Sequence, residues 1–184
     1  MRHESIARPP ASDRARKRFS ELVLPHLDDA YGLARWLTGQ RADAEDVVQE
    51  ACMRALGALE AAQVEQPRAW LLGIVRNTAF TWLAKNRPKA LLVTDDDSIF
   101  ETAASAGEAS PNAEEALITA ADEARVHQAI AALPAPFREV LVMREITGLS
   151  YREIASAAGA PIGTIMSRLA RARALLTANL VSTA

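Results

Sequence analysis

Apolar residues recur along most of this chain at three- and four-residue intervals, the period of helices that bury one face. Between residues 21 and 38, Leu22, Leu24, Leu27, Tyr31, Leu33, Ala34 and Leu37 follow that spacing, and Gly39 is a natural stop. Asp43 is a credible N-cap for a second helix, with Glu45 and Asp46 in its first turn, where the helix dipole favours acids. The inward stripe of that helix reads Ala44, Val47, Val48, Ala51 and Ala55, leaving Asp46, Gln49, Glu50 and Met53 on other faces. A polar stretch from Glu60 to Gln66 leads to Pro67, which suits the first turn of a third helix. There Trp70, Ile74, Thr78 and Trp82 form one column and Leu71, Val75, Ala79 and Leu83 the next. Together they predict a broad buried stripe, with Arg76 and Lys85 off it.

From Ala90 to about Ala121 the pattern dissolves into Asp, Glu, Ala, Ser and Gly, a composition that predicts a flexible linker. Helical spacing then resumes. Val126, Ile130 and Leu133 predict one helix closed by Pro134, and Phe137, Val140, Leu141, Arg144 and Ile146 belong to the next. Ser150 can N-cap a short helix with Glu153 at the capping-box position, and Ile154, Ala155 and Ala158 face inward. Gly159 supplies a turn and Pro161 opens a last helix, whose Ile162, Ile165, Leu169, Ala172 and Leu176 keep one stripe. Two short helices joined by a tight turn match a helix-turn-helix. The opposite face of the last helix shows Thr164, Ser167, Arg168 and Arg171, groups that reach base edges and phosphates. A purely structural helical hairpin also fits the spacing. The acid-free, arginine-bearing face favours DNA.

Charge sharpens this picture because it is segregated, although the net charge is only −2. Residues 1–18 hold six Arg/Lys against two acids, and residues 67–89 hold five with none. Residues 94–123 carry nine Asp/Glu and no Lys/Arg, while residues 160–184 carry three arginines and no acid. Any one block reads equally as a solvated helix face. Basic blocks separated by an acidic one suggest two nucleic-acid contacts joined by a segment that avoids DNA.

With abundant Ala and Leu and only 5% aromatic residues, the expected fold class is all-α: two small helical domains joined by the acidic linker. The expected boundaries are a basic tail at 1–18, domains at 19–90 and 122–184, and the linker at 91–121. The single cysteine, Cys52, suits a reducing cytoplasm, and no apolar run predicts membrane insertion or a secretory signal. The three histidines are scattered, and no nucleophile–base pair, phosphate loop or metal-ligand spacing is visible, so neither catalysis nor a cofactor is expected. Asp95–Asp97 reads as solvated linker before it reads as a metal site.

In order along the chain stand Asp43-Ala-Glu-Asp-Val-Val-Gln-Glu50, Trp70-Leu with Asn77-Thr, Leu133-Pro with Arg138, Gly148-Leu-Ser-Tyr-Arg-Glu-Ile-Ala155, Gly163-Thr-Ile-Met-Ser-Arg-Leu169 and Arg171-Ala-Arg173. This succession resembles the extracytoplasmic-function (ECF) group of bacterial sigma factors, over about residues 19–90 and 112–177. The resemblance implies RNA polymerase core and promoter DNA as partners, an anti-sigma factor as a further one, and a role in stress-responsive transcription. It places Asp46, Gln49 and Glu50 at the core-binding face. It places the loop Ala61–Gln66 and the helix from Pro67 at the −10 element, with Asn77 contacting a flipped base and Arg76, Lys85 and Arg87 holding phosphates. It places Thr164, Met166, Ser167, Arg168 and Arg171 at the −35 element. Three positions depart from the family pattern: Gly73 and Met166 stand where basic residues are usual, and Cys52 where Phe is. Trp70 and Trp82 belong to buried columns before they belong to a stacking platform. A stand-alone helix-turn-helix regulator is the competing function, and it leaves residues 43–87 without a role.

Overall fold

The computed structural model describes residues 12–91 and 124–182, and every regular element among them is helical. The acidic segment expected as a linker lies outside the described residues.

Helix α1 (Asp13–Leu22) starts at Ser12, whose hydroxyl accepts from the Ala15 amide. The periodic run expected from residue 21 does not form one helix. A 3-10 turn at Leu24–His26 interrupts it before α2 (Leu27–Thr38). Pro25 is the reason: it has no N–H to continue the ladder and its ring crowds the preceding turn. Leu24, counted into the stripe, is accordingly 47% exposed. Gly39 ends α2 at φ 81°, a conformation that favours glycine. Helix α3 (Arg41–Ala58) begins two residues before the expected cap. Gln40 holds the N-cap position without a side-chain bond, and Asp43 stands in the first turn as an acid at the dipole's positive end. Helix α4 (Pro67–Asn86) starts at Pro67 as predicted, and a 3-10 turn, Pro88–Leu91, follows it. Helices α2, α3 and α4 pack on one another around Leu33, Leu37, Leu59, Leu71, Leu72 and Leu83.

The second unit comprises α5 (124–131), α6 (Ala135–Leu141), a π-helical turn (Val142–Ile146), α7 (Tyr151–Ala158) and α8 (Ile162–Ser182). Leu133, Met143, Leu149, Ile154, Ile165 and Leu169 fill its core. The two units also pack on each other, α4 against α7 and α2 against α6. The first contact is close: a Cβ added to Gly73 would lie 3.2 Å from the Ala157 carbonyl oxygen, tight against backbone. Beside the second, the Trp36 ring of α2 stacks on the His127 ring of α5 at 4.6 Å. The Arg138 guanidinium donates to the Trp36 and Leu37 carbonyls at 3.0 and 3.3 Å and to Ala131 and Leu133 at 2.5 and 2.8 Å. It thereby closes the C-terminal ends of α2 and α5 together. Burial, with Arg87 nearby, pushes Arg138 down to about 10, still cationic at neutral pH.

Candidate nucleic-acid interface

Helices α7 and α8 build the expected helix-turn-helix. Ser150 accepts from the Glu153 amide while the Glu153 carboxylate accepts from the Ser150 amide, a complete capping box. Gly159, at φ 61°, ends α7 with a left-handed residue and redirects the chain. Ile154, Ala157 and Ala158 are buried, whereas Ala155, expected to face inward, is only half-buried. From α8, Ile165, Leu169 and Ala172 point into the core, while Met166, Ser167 and Arg171 are exposed and Thr164 is half-buried. The Ser167 hydroxyl donates to the Thr164 carbonyl at 3.0 Å, leaving oxygen lone pairs toward solvent. Arg168 lies on the flank of this face and turns toward α6.

On the first unit, Asp46, Gln49 and Glu50 occupy an exposed face of α3 beside Met53, with Glu50 bound to Arg54 at 2.7 Å. On α4, Asn77 and Lys85 are exposed, and the Asn77 side-chain carbonyl accepts from Arg76 at 3.0 Å. Arg87 is half-buried. It donates to the Thr38 carbonyl at 2.8 Å and to Asp43 at 3.3 Å, and its guanidinium lies over the Trp82 ring. Trp70 and Trp82 pack at the core margin, as their columns predicted.

Two expected DNA contacts meet a third residue that sequence reasoning missed. Glu139 of α6 is fully buried, and its carboxylate accepts from Arg76 at 2.6 and 3.3 Å and from Arg168 at 3.3 Å. Arg76 also lies over the Phe80 ring at 4.1 Å. Burial pushes the Glu139 carboxyl up, against the pull of the two guanidinium groups. An acid inside the run from Phe137 to Met143 was the available signal, since a buried carboxylate calls for a cationic partner.

Among the described residues no cluster of His, Cys, Asp or Glu is arranged to hold a metal ion, and no helix is long and apolar enough to cross a membrane.

Residues 22–89 match the Sigma-70 region 2 family and residues 123–176 match Sigma-70 region 4. The RNA polymerase sigma-H factor of Pseudomonas aeruginosa is 35% identical over 161 residues, covering 86% of this chain and 83% of the relative. The ECF RNA polymerase sigma-E factor of Escherichia coli is 36% identical over 138 residues, covering 71% and 70%. The sigma factor RpoE of Bartonella quintana, solved in complex with the anti-sigma factor NepR, aligns with a TM-score of 0.68 at 28% identity, covering 89% of this chain and 97% of that one. Two helical units in this order, the second ending in a helix-turn-helix, define a protein of the sigma-70 class. Within that class, the chain belongs to the ECF family of RNA polymerase sigma factors.

Proposed function

We propose that the protein binds the RNA polymerase core in the cytoplasm and directs promoter-specific transcription initiation. Asp46, Gln49 and Glu50 on α3 dock on a basic surface of the core, with the neighbouring Met53 as an apolar contact. The loop after α3 and the outer end of α4 read the −10 element, with Asn77 on a flipped base and Arg76, Lys85 and Arg87 on phosphates. The exposed face of α8, Thr164 to Arg171, enters the major groove at the −35 element. Met166 offers that groove a methyl-contacting side chain in place of a cation. An anti-sigma factor, of the kind bound to the Bartonella relative, is a further partner and links the protein to a stress signal.

The observation that carries this reading is a complete first unit, acidic and exposed on α3, beside the helix-turn-helix. A stand-alone regulator needs only the second unit. The test replaces Asp46 and Gln49 together by Lys and Ala. Core affinity is expected to fall about tenfold or more, because a like charge now faces a basic partner, with the helical circular dichroism signal intact. Unchanged core binding and unchanged promoter-specific transcription by the double variant would remove α3 from the core interface.

A further inference from the structure

We propose that Glu139 acts as an internal stand-in for promoter phosphate, a latch that keeps the free protein closed and its DNA-facing arginines occupied. The inference rests on the −10 and −35 assignments above and adds a residue and a conformational step to them.

Arg76 belongs to α4 of the first unit and Arg168 to the recognition helix of the second, yet both bind one carboxylate within 3.3 Å. Elements at −10 and −35 are separated by more than two turns of B-DNA, roughly 70 Å at about 34–36 Å per turn. Two guanidinium groups on one carboxylate cannot also grip phosphates that far apart. The closed form is therefore incompatible with engaging both elements, and promoter binding requires the units to part. What Glu139 supplies is what a phosphate supplies: an anion with two oxygens for a forked donor. Its complete burial keeps solvent from competing for those bonds.

Gly73 lets the latch close. The backbone of α7 lies so near that a Cβ there would sit 3.2 Å from the Ala157 oxygen and 3.3 Å from its Cα, and neither backbone atom can swing aside. A basic side chain at this position would press on that backbone in the closed form. The departure from the family pattern at Gly73 thus accompanies the close approach that brings Arg76 to Glu139.

The test uses the full chain with donor and acceptor dyes on Ala58→Cys and Ala178→Cys in a Cys52→Ser background. Free protein should give a single short distance and the holoenzyme a long one. Glu139→Gln, which keeps the shape and removes the charge, should populate the long distance without core. The same variant, free, should bind a random-sequence DNA duplex more tightly. Freeing two phosphate-binding arginines should steepen its log K against log salt by about 1.8, so its advantage should shrink about tenfold between 50 and 200 mM salt. Arg76→Gln, which removes the donor that the first unit offers to Glu139, should open the protein in the same way, and it decides the matter if Glu139→Gln loses its helical signal. Variants that stay closed and keep the wild-type salt slope overturn the latch. Failure of wild-type protein to direct transcription with core would instead overturn the functional reading, and the distance measurement would still report on the closed form.

Discussion

Glu139 and Glu153 lie fourteen positions apart in the second unit, and their surroundings drive their protons in opposite directions. Burial raises Glu139. Glu153 is held below the ordinary glutamate value of 4.5, first by its hydrogen bonds with Ser150 and then by the Arg68 charge. A carboxyl lowered by folding adds stability that is fully present above its unfolded value and disappears as pH falls through the folded one. Below pH 4.5 the wild type should therefore lose stability faster than Glu153→Gln, whose amide oxygen accepts the same bond at any pH. Urea unfolding followed by circular dichroism between pH 3 and 6 reads this, and parallel curves for the two proteins would exclude the cap as the source. The two residues also differ in legibility. A capping box spans three positions and can be read directly from Ser150-Tyr-Arg-Glu153. The Arg76–Glu139 pair spans 63 positions, and no local pattern names the partner.

At the scale of elements, periodicity located the helices and the turn of the helix-turn-helix, and it failed where chain stereochemistry interrupts a sound stripe. Pro25 split the run from residue 21 to 38, and the apolar spacing on both sides hid the break. The start of α3 moved for a related reason: Asp43 is equally suited to the cap and to the first turn, and its bond to Arg87 favours the turn. Helix α1 was lost to the reading of residues 1–18 as a basic tail, because Arg14, Arg16, Lys17 and Arg18 look alike in sequence. Arg18 is structural. Its guanidinium donates to the Leu59 and Ala62 carbonyls at 2.5 and 2.8 Å and docks α1 on the end of α3. Arg18→Ala should leave those carbonyls without their donor and cost about 1–3 kcal/mol. Amide exchange should then rise first in α1, ahead of α2 to α4. If protection falls equally across all four helices, α1 is not docked by this side chain.

At the scale of the whole molecule, charge segregation led to an expectation of two domains joined by an acidic linker, each meeting DNA, with no contact named between them. The structure joins them through Gly73 on Ala157, Trp36 on His127, and Arg138 across the ends of α2 and α5. None of these contacts is local, so none could be read from spacing. If they couple the units, unfolding should be one cooperative transition in which every probe agrees. Trp36, Trp70 and Trp82 all belong to the first unit, and Trp36→Phe removes the indole that stacks on His127 of the second, so in that background tryptophan fluorescence follows the first unit while circular dichroism reports both. Arg138→Met keeps the stem in its buried site and removes the donors to Trp36, Leu37, Ala131 and Leu133. With Arg138 intact the two melting curves should coincide. With Arg138→Met added they should separate, with fluorescence and circular dichroism giving different midpoints. Curves that already diverge with Arg138 intact would mean that the units unfold independently and that Arg138 only closes the helix ends within them.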